Sequence, residues 1–316
     1  MTTCLITGGA GFIGSHLVEA CLDQGFRVIV LDDLSTGKKD NLPMGHKNLT
    51  FIEGTVTCRD TLLRVKHQAP DLEYIFHLAA IASVTRSMEE PVYTHQVNFE
   101  GTLLILDTFK DLSIKKLLYA SSTAVYGDTR IMPVREDLRP APLSPYGADK
   151  LAGEYYLKIF NDCYGLPAVS CRFFNVFGER QDPSSPYSGV ISIFFDRAIS
   201  KKQGNSAAIS IFGDGGQTRD FIYVKDIVRA LLYLAEDESV KGRTFNLGYG
   251  KKTSVLELAE KTRSLIDTNI EIRFEKPRQG DVLHSQADIH RLLKTGFTFQ
   301  YDFDSGLKRL AEFLNH

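Results

Sequence analysis

The sequence of 316 residues has no tryptophan, only four methionines and five cysteines, and almost no net charge. Its 37 Lys and Arg residues face 39 Asp and Glu residues, which gives a formal charge of −2. No overall positive field therefore draws the protein to nucleic acid or to an anionic membrane, and we expect neither as a partner. An anionic ligand has to be met by a few placed side chains.

The cysteines are odd in number and scattered, at Cys4, Cys21, Cys58, Cys163 and Cys171. They form no C-x-x-C pair and have no histidine at metal-ligand spacing, so we predict no metal site. Reduced thiols are typical of a cytoplasmic protein, which is the location we predict. Four glycines interrupt the first apolar stretch, so neither a signal peptide nor a membrane span is expected there.

Short apolar runs alternate with helical patterns through the first half of the chain. This alternation predicts an α/β fold, a Rossmann-type doubly wound parallel sheet flanked by helices. The predicted strands are Thr3–Thr7, Arg27–Leu31, Leu49–Glu53, Tyr74–Leu78, Lys116–Ala120 and Ala168–Arg172. The predicted helices are Gly11–Gln24, Arg59–Gln68, Thr94–Lys110 and Tyr146–Tyr164.

The alternation is lost after Asn175, where long segments are rich in Gly, Pro, Ser and Asp. Long loops of this kind usually serve ligand binding. We predict an NAD-binding domain over residues 1–174, with residues 217–247 returning to it. Residues 175–216 and 248–316 are expected to form a smaller C-terminal α/β substrate-binding domain.

A glycine-rich loop joins the first predicted strand to the first predicted helix. It reads Gly8-Gly9-Ala10-Gly11-Phe12-Ile13-Gly14. Such glycines allow a tight turn, let a pyrophosphate approach the backbone, and let the helix pack closely on the strand. The helix N-terminus adds partial positive charge for the phosphates. The loop alone is a weak signal, but its place between a strand and a helix is typical of a dinucleotide site.

Asp32 ends the second predicted strand, about 20 residues after the glycines, as a dinucleotide site requires. Its carboxylate can accept hydrogen bonds from both ribose hydroxyls and would repel a 2′-phosphate. We therefore predict NAD rather than NADP as the cofactor. Asp33 could share this role, and the alternative for Asp32 is a plain strand-end carboxylate.

Tyr146 and Lys150 are four residues apart at the start of a predicted helix, which places both on one face. A nearby ammonium and a cationic nicotinamide would stabilise the phenolate of Tyr146, so that it could act as a base near neutral pH. The strand before this segment ends in Ser121-Ser122-Thr123-Ala124, at the sheet edge where such folds bind ligands. For Ser121 we favour an ordinary strand-end hydroxyl.

At this point the sequence resembles, over nearly its whole length, the extended short-chain dehydrogenase/reductases that act on nucleotide sugars. The resemblance rests on TGGAGFIGSH, LDDLSTG, HLAA, YASSTAVYG, SPYGADK, RFFNVFGERQDP and FGDGGQTRDFIYVKD. It implies a catalytic triad of Ser122, Tyr146 and Lys150. It also implies a cofactor site formed by Gly8, Gly11, Phe12, Ile13, Gly14, Asp32, Thr55, Val56, Ala79, Tyr146 and Lys150.

The residues after the triad serine discriminate between the chemistries of this family. Sugar 4,6-dehydratases carry an Asp-Glu pair there, whereas this sequence has Thr123 and Ala124, and the glutamate of the related decarboxylases is absent as well. The resemblance then implies 4-epimerisation. Tyr146 takes the 4-OH proton with the help of Ser122, Lys150 holds the nicotinamide ribose, and the 4-keto sugar is reduced again from its other face.

The resemblance also implies a UDP-sugar site. Its residues would be Ser83, Ser122, Asn175, Arg219, Arg278, Asp281 and Ser285. The two arginines would clamp the diphosphate, although a surface ion pair is the alternative for each. Ser285 takes a position where epimerases restricted to unacetylated hexoses carry a tyrosine, which leaves room for an acetamido group. UDP-GlcNAc and UDP-GalNAc are thus the predicted substrates, with UDP-glucose and UDP-galactose as further candidates.

One departure from the family pattern and three rival functions stay open. Thr55 stands where close relatives have an adenine-binding aspartate, which predicts weaker retention of NAD. Arg86 or another nearby base could pair with a carboxylate, so UDP-glucuronate 4-epimerase is an alternative, as is a nucleotide-sugar 4-ketoreductase. A catalytically silent NAD-sensing regulator is a third. The resemblance further implies a homodimer whose four-helix interface uses Thr94–Lys110 and Tyr146–Tyr164.

Overall fold

The computed structural model describes residues 1–183, 189–266, 269–277 and 283–315. The strands are β1 (Thr3–Thr7), β2 (Arg27–Asp32), β3 (Leu49–Glu53), β4 (Leu72–His77), β5 (Lys116–Ser122), β6 (Ala168–Phe173), β7 (Asn175–Phe177), β8 (Ala208–Phe212), β9 (Thr218–Arg219), β10 (Phe221–Tyr223), β11 (Thr244–Leu247), β12 (Thr253–Ser254) and β13 (Glu271–Glu275). The helices are α1 (Phe12–Asp23), α2 (Arg59–Gln68), α3 (Val84–Glu89), α4 (Pro91–His95), α5 (Gly101–Phe109), α6 (Pro145–Tyr164), α7 (Val190–Lys202), α8 (Val224–Glu236), α9 (Val255–Ile266), α10 (His290–Leu293) and α11 (Phe303–Leu314).

Seven strands form the central sheet in the order β11-β6-β5-β4-β1-β2-β3. β1 pairs in parallel with both β2 and β4, and the parallel pairing continues from β2 to β3, from β4 to β5 and from β5 to β6. The strand order reverses direction beside β1, as in a doubly wound sheet. The predicted Rossmann-type fold is confirmed.

The sheet is buried because its strands are almost continuously apolar. β1 is buried at every residue, and β2 is buried from Val28 to Asp32. The main core cluster joins aliphatic and aromatic side chains from six strands and three helices, with Phe109 of α5 and Phe160 of α6 among them. Burial on this scale supplies the main stabilisation of such a layer.

The chain divides into two compact units. Unit 1 comprises residues 1–128, 137–173 and 228–245, and unit 2 comprises residues 129–136, 174–227 and 246–316. Unit 2 contains three small sheets, in which β10 pairs with β7, β12 with β9, and β13 with β8. The domain boundaries predicted from the sequence stay a prediction.

The predicted helix Thr94–Lys110 is not one regular helix. The helical segment begins earlier than predicted, with α4. Pro91 can open α4 because the first turn of a helix needs no backbone N–H donor. A π-helical turn, Gln96–Glu100, then joins α4 to α5. Within that turn the buried Asn98 accepts a hydrogen bond from the backbone N–H of Ile81 at 2.8 Å and donates one to its carbonyl oxygen. The turn therefore directs a polar side chain at the backbone that follows β4.

Candidate active site

The glycine-rich loop places the N-terminus of α1 directly after β1. Gly8 has a φ of +70°, a conformation that favours glycine. A Cβ atom on Gly14 would overlap the carbonyl oxygen of Gly8, so this helix can pack on the loop only without a side chain. Gly11 is the N-cap of α1, and Phe12 and Ile13 open the first turn. The loop thus leads directly into a helix N-terminus, the arrangement that binds phosphates.

Asp32 lies at the carboxyl end of β2 and holds this loop in place. Its carboxylate accepts hydrogen bonds from the backbone N–H of Ala10 at 2.9 Å and of Leu34 at 2.8 Å. Burial raises the pKa of Asp32, while these two hydrogen bonds act in the opposite direction. Each carboxylate oxygen keeps a second lone pair, so the residue can still accept from ribose hydroxyls. Its role in shaping the loop was not predicted.

Three further predicted cofactor residues follow the neighbouring strands. The hydroxyl of Thr55 hydrogen-bonds that of Thr57 at 3.0 Å and accepts from the Thr57 backbone N–H at 3.3 Å. Val56 is buried. The backbone N–H of Ala79 donates to the hydroxyl of Thr7 at 3.2 Å. These residues and the glycine loop fit a dinucleotide, because they combine a glycine-rich helix N-terminus with a carboxylate at the end of β2.

Ser122, Tyr146 and Lys150 are brought together by β5 and α6. Ser122 ends β5, and its hydroxyl forms a side-chain hydrogen bond with the phenol of Tyr146. Ser144 caps α6 by accepting from the backbone N–H of Gly147 at 3.1 Å, and Pro145 occupies the first turn. The helix therefore begins just before Tyr146, and its next turn carries Lys150.

Lys150 is buried, with 2% of its surface exposed. Its ammonium nitrogen donates to the carbonyl oxygen of Ala120 at 2.7 Å and lies 5.9 Å from the ring centre of Tyr146. Burial lowers the pKa of Lys150 to about 7, although the carboxylates of Asp149 and Glu154 raise it.

Two opposing effects act on the pKa of Tyr146. Burial raises the pKa, and a side-chain hydrogen bond with Ser122 lowers it by a smaller amount. In the protein alone the phenol is therefore protonated at neutral pH. The positive charge that favours the phenolate has to come from the cofactor as well as from the lysine.

A buried ion pair beneath these residues was not predicted. Glu154, one turn after Lys150, accepts from Arg172 Nε at 2.8 Å and from Arg172 Nη2 at 2.6 Å. The hydroxyl of Ser121 donates to the same carboxylate at 2.5 Å. Arg172 also lies over the ring of Tyr126, 4.6 Å from its centre. The pair ties α6 to β5 and β6 directly below the triad, and Ser121 is structural, as expected.

The remaining predicted substrate residues are distributed as follows. In unit 1, Ser83 is buried, and its hydroxyl caps α3 by accepting from the backbone N–H of Arg86 at 3.0 Å. In unit 2, Asn175 begins β7, Arg219 ends β9, and Ser285 is half-buried beside β9, where its N–H donates to Thr218 at 3.1 Å. The predicted residues Arg278 and Asp281 lie outside the described residues.

Two further properties concern metals and membranes. Within the described ranges, no three His, Cys, Asp or Glu side chains are grouped so as to hold a metal ion. In the same ranges, none of the helices combines the length and the apolar character needed to cross a lipid bilayer. The cellular location stays a prediction.

Comparison with known proteins identifies the family. Residues 4–248 match the NAD dependent epimerase/dehydratase family. The chain belongs to this family. The predicted family and the predicted NAD dependence of an enzyme are thereby confirmed.

Individual relatives match over almost the entire chain. A putative UDP-glucose 4-epimerase of Methanocaldococcus jannaschii is 40% identical and aligns over 99% of this chain and 98% of its own length. The structure of a UDP-N-acetylglucosamine 4-epimerase from Methanobrevibacter ruminantium, in complex with UDP-N-acetylmuramic acid, is 39% identical, with a TM-score of 0.93 and coverage of 99% and 98%. A UDP-glucose 4-epimerase from Thermotoga maritima with UDP-glucose is 36% identical, with a TM-score of 0.93 and coverage of 99% of both chains.

Proposed function

We propose that this protein interconverts UDP-GlcNAc and UDP-GalNAc by 4-epimerisation. The general activity, that of an NAD-dependent UDP-sugar 4-epimerase, rests on the family and on the relatives of 36–40% identity. The observation that carries it in the structure is the group formed by Ser122, Tyr146 and Lys150 at the carboxyl end of β5 and the start of α6.

The triad residues divide the proton chemistry between them. As the phenolate, Tyr146 takes the 4-OH proton of the sugar at its oxygen, becomes the neutral phenol, and later returns that proton, and Ser122 orients the phenol and the sugar hydroxyl through the hydrogen bond it already makes with Tyr146. Lys150 is held by the Ala120 carbonyl at a fixed distance from the phenol. NAD, when bound, supplies the hydride acceptor and donor for C4 and a positive charge beside the phenol. The glycine loop and Asp32 would hold it.

The sequence next to the triad supports hydride transfer without elimination. Thr123 and Ala124 follow Ser122 in a short helical turn, Thr123–Tyr126. Neither a hydroxyl nor a methyl group can serve as the acid–base pair that a dehydratase needs. A reaction that only oxidises and re-reduces one carbon is therefore favoured.

The preference for an acetamido sugar is supported by Ser285 and by one of the related structures. Ser285 is small and half-buried beside Thr218. The Methanobrevibacter relative is named for UDP-N-acetylglucosamine. For UDP-glucuronate, the candidate cation Arg86 already pairs with Glu90 at 3.1 Å and lies over the ring of Tyr93, so a sugar carboxylate would have to compete for it.

The deciding experiment incubates the purified protein with UDP-GlcNAc and follows UDP-GalNAc by proton NMR, with and without added NAD. We expect both sugars to reach equilibrium without net consumption of cofactor. UDP-glucose and UDP-glucuronate are run in parallel. If only UDP-glucuronate reacts, the argument from Ser285 is wrong. If none of the three sugars reacts but a UDP-4-keto sugar added with NADPH is reduced with stoichiometric use of NADPH, the protein is a ketoreductase.

Tyr146→Phe separates an enzyme from a silent NAD-sensing protein. We expect turnover to fall by at least about 100-fold, because general acid–base groups typically contribute 10²–10⁴-fold. Tyr164→Phe is the matched control, because Tyr164 is an exposed tyrosine on the same helix. Unchanged turnover in Tyr146→Phe would exclude the proposed base.

We also propose a homodimer formed through the helices of unit 1, as the sequence resemblance implies. Support comes from large apolar side chains left exposed on α4 and α6, including Val92 at 71%, Tyr155 at 57% and Ile159 at 46%. An apolar group of this kind commonly marks a protein interface. Light scattering coupled to size-exclusion chromatography should give a mass of two chains, and a single-chain mass would contradict the proposal.

A further inference from the structure

Asp220 is a carboxylate buried in unit 2 that receives hydrogen bonds from three backbone groups. It lies between β9 and β10 and has no exposed surface. Its Oδ1 accepts from the N–H of Tyr249 at 2.7 Å, and its Oδ2 accepts from the N–H groups of Gly250 and Ala287 at 2.9 Å each. A buried carboxylate is costly unless such donors surround it, so this set is a specific arrangement.

The same residue connects the segments that carry the predicted substrate residues of unit 2. Its carbonyl oxygen accepts from the backbone N–H of Asn175 at 3.1 Å. Arg219 precedes it in the chain, and Ala287 is the second residue after Ser285. Asp220 is thus bonded to Asn175, follows Arg219 directly in the chain, and is bonded to the backbone two residues after Ser285.

The two loops around the Asp220 carboxylate are closely packed. The side-chain amide of Gln286 donates to the carbonyl of Gly250 at 2.9 Å, which joins the two loops that Asp220 holds. A Cβ atom on Gly248 would lie 2.7 Å from the Cβ of Ala287 and 3.1 Å from Oδ2 of Asp220. There is accordingly little space for the loops to move while the carboxylate keeps its hydrogen bonds.

We propose that Asp220 is a positioning residue for the nucleotide part of the substrate. It fixes the spacing of Asn175, Arg219 and Ser285, so that affinity for UDP depends on it although it does not touch the ligand. The inference rests on the proposed UDP-sugar function. Physically, it is an effect of preorganisation: side chains already held in place lose less entropy when they bind a diphosphate.

The first test is Asp220→Asn, which keeps the size of the side chain. An amide has one acceptor oxygen, so it can serve either Tyr249 or the Gly250 and Ala287 pair, and its NH₂ group then faces a donor. We expect the Kd for UDP, measured by calorimetry, and the KM for UDP-GlcNAc to rise at least 10-fold. The value of kcat should stay within threefold, and the amount of bound NAD should not change, because the glycine loop belongs to unit 1.

Asp226→Asn is the matched control in the same unit. Asp226 is also buried, and its carboxylate accepts from the backbone N–H groups of Gln300 and Tyr301 at 2.9 Å each, but those residues carry no predicted substrate contact. We expect the melting temperature of Asp226→Asn to fall by about as much as that of Asp220→Asn, while its Kd for UDP stays within twofold of the wild-type value. An unchanged Kd in Asp220→Asn, or an equal rise in Asp226→Asn, would overturn the proposal.

A second variant covers the case in which Asp220→Asn does not fold. Gly248→Ala pushes a methyl group against the same carboxylate, and we expect at least a fivefold rise in the Kd for UDP, whereas an unchanged Kd counts against the role. The titration with UDP also separates the two proposals. A wild type that binds UDP without epimerising UDP-GlcNAc refutes the proposed reaction alone, and a wild type that binds no UDP refutes both.

Discussion

Replacing Glu154 by glutamine should cost the protein much more stability than its small change in shape suggests. Glu154 and Arg172 expose only 6% and 5% of their side chains, and the guanidinium makes two hydrogen bonds to the carboxylate, at 2.8 and 2.6 Å. Removing the negative charge leaves the guanidinium buried without its counter-charge. Breaking such a pair typically costs about 3–5 kcal/mol, and since glutamine can still accept one hydrogen bond, we expect about 3 kcal/mol.

The assay is urea unfolding followed by circular dichroism at neutral pH. The control is Asp162→Asn on the same helix, where Lys158 and Asp162 also pair at 2.8 Å but are 65% and 50% exposed. Exposed pairs contribute little, so this control should lose about 0.5 kcal/mol or less. The double variant Glu154→Leu with Arg172→Met should regain most of the loss, because it removes both buried charges together. A loss below about 1 kcal/mol in Glu154→Gln would refute the reasoning.

Two other substitutions test the cofactor loop and the buried lysine. Gly14→Ala should abolish NAD binding, measured by the fluorescence of bound NADH, because its Cβ would overlap the Gly8 carbonyl oxygen, while Gly45→Ala, whose Cβ has open space around it, should keep the cofactor. Retained binding in Gly14→Ala would contradict the assignment of the phosphate loop. Lys150→Met should be inactive, yet at pH 6 it should be more stable than wild type. The pKa of Lys150 is lowered to about 7 in the folded protein, so below that pH the wild type carries the cost of a buried positive charge. The wild type should gain stability as the pH rises from about 7 towards the unfolded pKa near 10.5. Urea midpoints of both proteins from pH 6 to pH 10 check this, and a constant difference would contradict it.

The first half of the fold could be predicted because its strands are buried and its glycines mark turns. The bounds of β1, β3 and α2 agree with the prediction, whereas the helix expected over Thr94–Lys110 is divided by a π-helical turn. That turn depends on the bonds between Asn98 and Ile81, which are 17 residues apart and carry no local signal.

Much of the second half was not predicted, although part of it carries local signals. β13 alternates polar and apolar residues over only five positions and is mostly exposed, so its pattern is a weak strand signal. The helices α7, α9 and α11 were not predicted either. Buried residues recur at helical spacing along α9 and α11, so a local signal for these two helices was present in the sequence.

In the candidate site, too, features encoded in short motifs could be predicted, whereas contacts between residues far apart in the chain could not. The triad and the glycine loop are encoded in short contiguous motifs, so they could be predicted. The ion pair of Glu154 with Arg172 spans 18 residues, and the hydrogen bonds of Asp220 span 29 to 67 residues. A signal for Glu154 was present nonetheless: it is a carboxylate on the buried stripe of α6, between Gly153 and Leu157.

Unit 1 is formed by three separate segments of the chain, which limits where the protein can be cut into fragments and when its sheet can form during synthesis. β11 closes the central sheet beside β6, yet it is formed by Thr244–Leu247, after two of the three segments of unit 2 have been added to the chain. A fragment ending near residue 174 would leave β6 as an open sheet edge, with unpaired backbone groups ready to join another molecule. On the ribosome the nucleotide-binding sheet therefore stays incomplete until more than three quarters of the protein has been made.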